Sequence, residues 1–104
     1  MESLSRLTPA TADVLAVLLA EPANVWGLRI VKATGRPPGS VYPILERLER
    51  AGWLTSEWED APERPGPRRR LYRLVPGAAE PAVAAVARVR AKIAPLAAGK
   101  AAEA

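Results

Sequence analysis

The middle of this 104-residue chain concentrates side chains that can bind phosphate. Ser40 and Tyr42 follow a Pro-Pro-Gly turn at which a helix is expected to begin. A hydroxyl there can donate to a phosphate oxygen, and the helix N-terminus adds partial positive charge. A nearby connector rich in proline carries four cations: Arg64, Arg68, Arg69 and Arg70. Hydroxyls at a helix start, together with cations on a projecting connector, are typical of a surface that meets a nucleic-acid backbone.

Three further cations extend this predicted surface. Lys32 and Arg36 lie at the end of the second predicted helix and in the turn that follows it, where phosphate contacts are expected. Arg47 lies on the exposed face of the third predicted helix. Because such contacts release counterions from DNA, binding should weaken steeply as the salt concentration rises.

Each of these groups also has an explanation that involves no DNA. Ser40 can serve as an N-terminal helix cap, and the Tyr42 ring can be partly packed against the domain. The arginines can form a solvated cluster whose charge is offset by four acidic neighbours: Glu57, Glu59, Asp60 and Glu63. The combination of the basic connector with the helix start is what favours DNA over a merely basic surface.

The composition restricts the chemistry that the chain can perform. It has no Cys and no His, which excludes disulfides, thiol nucleophiles, the usual zinc sites and imidazole acid–base catalysis. With no Gly-rich phosphate loop and no clustered inward carboxylates, we expect no enzyme, no cofactor and no metal. The net charge of +4 favours an anionic partner. No apolar run is long enough for a membrane span and no signal-peptide pattern is present, so we expect a cytoplasmic protein with no membrane partner.

Helix caps and breakers divide the chain into four helices and a hairpin. Thr8 followed by Pro9 starts the first helix, and Asn24 is expected to cap the second, which stops at Gly35. The hydrophobic period and the turn residues predict helices at about 9–20, 25–33, 38–51 and 78–97, with strands at 53–59 and 68–75.

Regularly spaced apolar residues mark the predicted core. The inward positions are Leu15, Leu18 and Leu19 in the first helix, Val41, Leu45 and Leu48 in the third, and Leu54, Tyr72 and Leu74 in the hairpin. Gly27 lies inside the second predicted helix, where glycine is destabilising, which suggests that another helix approaches it closely. Since the chain has no Phe, Trp53 and Trp58 are expected to fill space in the core.

Three segments resemble the PadR family of bacterial transcription regulators: VLAVLLAEPANVWGLRIVKATG, SVYPILERLERAGWLTSEWE and GPRRRLYRLVPGA. The resemblance covers roughly residues 8–80, and the chain looks like the branch with a short C-terminal helix. It implies a mainly α (α+β) fold, a winged helix-turn-helix with a two-stranded wing and a C-terminal dimerisation helix. It also implies DNA contact by Ser40 and Tyr42. The chain departs from the family's Gly flanked by Tyr, because Trp26 precedes Gly27 and Leu28 follows it.

The domain organisation is expected to follow these elements. We predict a flexible lead at 1–7, a winged-helix DNA-binding domain at 8–76, a dimerisation helix at 77–97 and a disordered tail at 98–104. One such module reads few base pairs, so a homodimer on a palindromic site is expected. Packing of the last helix on its own domain is the alternative to dimerisation. The predicted dimer element is a heptad-like apolar seam: Ala82, Val86, Val89, Ile93 and Leu96.

The sequence therefore predicts a sequence-specific regulator that binds double-stranded DNA, and a repressor that blocks polymerase by occupying a promoter is the simplest form. The resemblance also implies, for some members, a small aromatic effector near the dimer interface. Trp26 is the candidate pocket residue for such an effector, with ordinary packing as the alternative. The competing prediction is a winged-helix module for protein–protein assembly, without sequence-specific DNA binding.

Overall fold

A computed structural model of the chain describes residues 1–4, 6–21, 23–60 and 65–93, except for the side chain of Ile93. The described part contains four helices around a small antiparallel sheet. The elements, in chain order, are α1 (Pro9–Ala20), β1 (Val25–Trp26), α2 (Gly27–Thr34), α3 (Pro38–Arg50), β2 (Leu54–Trp58), β3 (Arg70–Leu74), a 3-10 turn (Pro76–Ala78) and α4 (Ala79–Ile93).

Helix α1 begins at the predicted cap. The Thr8 hydroxyl accepts a hydrogen bond from the Thr11 backbone N–H at 3.1 Å, and Pro9 takes the first helical position. The cap satisfies one of the N–H groups that a helix start leaves without a partner, and the proline has no N–H to satisfy. The predicted start of α1 is therefore confirmed.

The sheet has three strands, in the order β1-β3-β2, where the sequence predicted two. Val25 lies opposite Tyr72 in the register, and Trp26 lies opposite Leu71. The second helix therefore begins at Gly27 and not at Val25. A β-branched residue and an aromatic residue favour a strand when an edge is available to pair with, and the open side of β3 provides that edge.

The predicted cap of the second helix is also wrong. The residue at the cap position of α2 is Trp26, which makes no side-chain capping bond. The Asn24 amide instead donates to a carboxylate oxygen of Glu57 at 3.0 Å. Because β1 pairs with β3, the chain reaches α2 two residues later than the cap pattern indicated.

The core lies where α1, α3, α4 and the inner face of the sheet meet. The predicted residues Leu15, Leu45, Leu48 and Leu54 are at most 2% exposed, and Trp53 is buried beside them. The predicted core is confirmed at its centre, while Leu19 and Leu74 are only half-buried at its edge. In the described part of the chain, no helix is both long and apolar enough to cross a lipid bilayer.

The N-terminal lead makes hydrogen bonds with the domain. The Glu2 backbone N–H donates to the Ala51 carbonyl at 2.7 Å, and the Trp53 indole N–H donates to the Glu2 carbonyl at 2.5 Å. Leu4 and Leu7 pack against the core. These contacts join the start of the chain to the end of α3, a pairing across about fifty residues that no local pattern reveals.

Most residues of the predicted dimer seam are buried within the domain. Ala82, Val86 and Val89 are at most 7% exposed because this face of α4 packs on α1. The alternative of packing on the same domain therefore holds for these three residues. The side chains of Ile93 and Leu96, and the predicted tail at 98–104, lie outside the described residues.

Candidate nucleic-acid interface

Helix α3 presents an exposed face with two distinct flanks. At 100° per residue, Gly39, Pro43, Glu46 and Arg50 lie along the middle of that face. Tyr42 and Glu49 then share the flank on one side, toward the sheet, whereas Ser40 and Arg47 share the opposite flank.

Ser40 lies inside the first turn of α3. The helix begins at Pro38, its cap residue is Pro37, and no side chain bonds the free N–H groups of this end. The Ser40 backbone N–H donates to the Pro37 carbonyl at 2.9 Å. Ser40 is thus not the N-terminal cap, and no hydrogen bond of its hydroxyl occurs among the described residues.

Tyr42 lies at the start of α3 with its ring against α2. A Cβ on Gly27 would be 2.8 Å from Tyr42 Cε1, closer than such atoms approach. Gly27 thus permits the close helix approach that the sequence suggested. The side chain of Tyr42 remains 39% exposed. The ring is therefore packed on one side and open to solvent on the other, which is the partial packing that the sequence allowed.

The inner face of the hairpin is joined to α3 through Glu49. Its carboxylate accepts a hydrogen bond from the Ser56 hydroxyl at 2.6 Å and lies 4.0 Å from the Arg70 guanidinium. Arg70 also lies over the Trp58 ring, with Cζ 5.1 Å from the ring centroid. No pattern in the sequence indicated this role of Glu49, which joins both strands of the hairpin to α3.

Trp58 is on the surface, which corrects its assignment to the core. Its side chain is 59% exposed. Alternation along β2 puts Trp58 on the same face as the buried Leu54, but Trp58 is the last residue of the strand and extends past the core. Its position next to a run of turn residues is the signal that could have indicated exposure.

A cleft of ≈ 420 Å³ separates the start of α3 from the hairpin. Aromatic rings and guanidinium groups together offer stacking surfaces and phosphate donors. The lining of the cleft consists of Trp26, Gly27, Tyr42, Trp58, Arg68, Arg70 and Tyr72.

Arg69 is separated from the other described arginines of the hairpin. It immediately precedes β3 and lies on the opposite face of the hairpin from Arg70, with its guanidinium carbon 3.7 Å from the centroid of the Trp26 ring. Its backbone N–H donates to Glu59 at 2.9 Å. Arg69 therefore holds β3 against β1. Arg68 is exposed in the cleft, and Arg64 lies outside the described residues.

The remaining predicted cations lie apart from this cleft. Arg36 donates from Nε to the Asp13 carboxylate of α1 at 2.9 Å and is about one-third exposed. Lys32 is exposed on α2 and lines a second cavity of ≈ 610 Å³ together with Trp26 and Arg69. Arg47 is exposed at the other flank of α3. Trp26 borders both cavities, so its indole separates the α2 side from the α3 side.

The floor of the cleft stays uncharged at neutral pH. Burial raises the pKa of the Tyr72 hydroxyl above its ordinary value, an effect that the nearby Arg70 opposes and that Tyr42 and Glu49 reinforce. Tyr72 therefore keeps its proton and adds no negative charge beside the arginines.

Solved structures share this fold at low sequence identity. A mutant form of ZitR from Lactococcus lactis is 20% identical with a TM-score of 0.71, covering 100% of this chain and 66% of that one. Pex from Anabaena, described as circadian clock associated, is 21% identical with a TM-score of 0.65, covering 81% and 76%. A transcriptional regulator homologue from Pyrococcus horikoshii OT3 is 20% identical with a TM-score of 0.65, covering 85% and 83%.

A family model extends the comparison to the sequence. Residues 14–79 match the model of the transcriptional regulator PadR-like family, a range from the middle of α1 to the start of α4 that contains the whole α3–hairpin cleft. No protein with a curated description matches the sequence significantly. The family match spans more than half of the chain, which therefore belongs to the PadR-like family of transcriptional regulators.

Proposed function

We propose that this chain represses transcription by binding a palindromic operator as a homodimer. The observation that carries the proposal is the juxtaposition of the first turn of α3 with the exposed Trp58 and the arginines of the hairpin. Helix α3 has 13 residues and is about 20 Å long, which suits the major groove. The hairpin beside it is the wing.

The contacts divide into those made by α3 and those made by the wing. Ser40 and Tyr42 meet the DNA at the start of α3, where hydroxyls and the helix dipole face phosphate and base edges. Arg68 and Arg70 follow the backbone or the adjacent minor groove, where arginine is favoured by the negative potential. Outer phosphate contacts come from the remaining predicted cations: Lys32, Arg36, Arg47 and Arg64.

Dimerisation uses a different face of α4 from the predicted seam. Val83 is 57% exposed although it is apolar, and it lines an open groove between α1 and α4. The groove continues through Leu19 and Ala87, which makes it a surface that a second copy can cover. A two-fold axis through this surface positions one copy of α3 at each half-site of a palindrome.

An effector site beside Trp26 is the regulatory part of the proposal. The ≈ 610 Å³ cavity combines the indole with apolar Leu28 and Leu71, so a flat aromatic molecule fits its chemistry. Arg69 covers the indole from the wing, and a ligand that stacks there would compete with Arg69. Titration with a panel of aromatic compounds should quench tryptophan emission, and Trp26→Phe should abolish the response. Quenching unaffected by Trp26→Phe would contradict this site.

The test of the proposed function is selection of bound fragments from the source genome. We expect enrichment of a palindrome that overlaps a promoter, and protein bound there should block transcription by purified polymerase. Tyr42→Ala is the matched variant, because its ring is partly exposed and its loss should abolish enrichment without unfolding the domain. Equal recovery of all fragments by both proteins would contradict sequence-specific binding and favour the assembly module.

A further inference from the structure

The N-terminal lead crosses the C-terminal end of α3. Hydrogen bonds from Glu2 to the Ala51 carbonyl and from the Trp53 indole to the Glu2 carbonyl hold it there. Leu4 and Leu7 anchor the lead on either side of the position from which Arg6 projects. Contacts of Glu2, Leu4 and Leu7 with the domain therefore hold the described parts of the lead close to Arg6.

The anchored lead brings Arg6 next to the recognition helix. Arg6, Arg47 and Arg50 line one cavity of ≈ 160 Å³ together with Glu2. The Arg50 guanidinium forms a salt bridge with the carboxylate of Glu46, one turn earlier in α3, with an N–O distance of 2.7 Å. Arg6 and Arg47 are both exposed, and neither forms an ion pair within the described ranges.

Arg47 lies seven positions after Ser40, which puts the two residues on the same flank of α3. Tyr42, Glu49 and the wing occupy the other flank. Positive charge therefore borders α3 on both sides: Arg68 and Arg70 on the wing side, and Arg6 with Arg47 on the lead side.

We propose that Arg6 and Arg47 form a second phosphate-binding patch, which binds the DNA backbone on the flank of α3 opposite the wing. The inference rests on the proposed function and adds the N-terminal lead to its DNA-binding surface. A helix inserted in the major groove has a phosphate strand on each side, so cations on both flanks match both strands. The chemical partner is a phosphodiester of the same duplex, which the charge of the patch and its continuity with α3 both favour.

Trp53 is the positioning residue of this patch. Its indole N–H holds the Glu2 carbonyl while its ring is buried in the core. Trp53→Phe removes the donor but keeps an aromatic ring in the core. This variant should release the lead and weaken DNA binding even though Arg6 is unchanged.

The experiment is a salt titration of binding to the duplex enriched by genomic selection, followed by fluorescence anisotropy. Arg6→Ala should lower the slope of log K against log salt by about 0.9 per protomer. Arg6→Lys should retain the slope, and Arg88→Ala, on the exposed face of α4, is the matched control that should leave it unchanged. Trp53→Phe should lower the slope by the same amount. The double variant, Arg6→Ala with Trp53→Phe, should lower it no further than either single variant does.

The outcomes separate this inference from the proposed function. If the wild-type protein binds the duplex and Arg6→Ala has the wild-type slope, the second patch is overturned and the proposed function stands. If the wild-type protein binds no duplex, the proposed function itself fails. If the losses of Arg6→Ala and Trp53→Phe add in full, Trp53 does not act through Arg6.

Discussion

The ring of Tyr42 lies directly over Gly27, in space that any other residue would fill with its own side chain. A Cβ at residue 27 would be 2.8 Å from Cε1 and 3.0 Å from the hydroxyl oxygen of Tyr42. The start of α2 therefore sets the direction of the side chain that we propose for DNA contact. The contact between Gly27 and Tyr42 therefore both packs α2 against α3 and orients the side chain that we propose for DNA binding.

Gly27→Ala should weaken DNA binding about tenfold, equal to ~1.4 kcal/mol, because the new Cβ displaces the Tyr42 ring. Its effect on the free energy of unfolding should be within about 1 kcal/mol, since alanine is the better helix former and the ring can turn toward solvent. Anisotropy with the enriched duplex and urea denaturation measure the two quantities.

Two comparisons test the cause of that loss. Gly77→Ala is the matched control, because a Cβ there would meet nothing within 4 Å. In a Tyr42→Ala background, Gly27→Ala should have no further effect on binding. Full additivity of the two losses would mean that Gly27 does not act through Tyr42.

Arg70→Ala and Arg69→Ala should have different effects although the residues are adjacent. Arg70→Ala should reduce the salt slope of binding by about 0.9 per protomer, because Arg70 faces the cleft. Arg69→Ala should instead lower the free energy of unfolding by about 0.5–1 kcal/mol through loss of the contact with Trp26. Equal slopes for the two variants would contradict the assignment of Arg70 to the DNA-binding face.

Trp58→Ala should reduce DNA affinity about tenfold, or ~1.4 kcal/mol, with little change in stability. The side chain is 59% exposed and borders the cleft, so its loss removes a stacking surface and no core packing. Trp58→Phe should retain most of the affinity. Thr55→Ala, which is exposed on the opposite face of β2, is the control. Wild-type affinity of Trp58→Ala would remove Trp58 from the interface.

Val83→Glu should convert the proposed dimer to a monomer, because a carboxylate buried in the apolar groove would lack a partner. Stability of the monomer itself should hardly change, since Val83 is 57% exposed. Light scattering coupled to size-exclusion chromatography gives the molecular mass. Ala84→Glu adds the same charge on α4 outside the groove and should remain dimeric. A dimeric Val83→Glu protein would require another interface.

Tyr72 should make stability depend on pH above about 10. Its pKa is raised in the folded state by burial, so the folded protein holds this proton more tightly than the unfolded chain. The resulting stabilisation is complete below pH 10 and is lost as the pH rises through the higher folded pKa. Urea denaturation from about pH 8 to about pH 11 should show a shallower alkaline decline for Tyr72→Phe than for the wild type. Parallel curves would contradict this assignment.

Local patterns in the sequence were sufficient to predict much of the fold. The Thr8 cap and Pro9 give the start of α1 because capping depends on residues within one turn. The spacing of Val41, Leu45 and Leu48 identifies the buried stripe of α3 because helix geometry repeats every 3.6 residues. The same segments carry the resemblance to the PadR family, and the family model matches residues 14–79.

Contacts between distant residues decided the rest. Val25 and Trp26 form a strand because β3 offers an open edge, and Trp58 is exposed because β2 extends past the core. Arg69 and Arg70 differ in their contacts because successive residues of an extended segment face opposite sides of the sheet, and the whole fold decides what lies on each side. The sequence by itself determined the start of α1, the centre of the core and the family, all of which follow from short-range periodicity and motifs. Only the tertiary structure decided which cations share a surface with α3, because that depends on the packing of segments far apart in the chain.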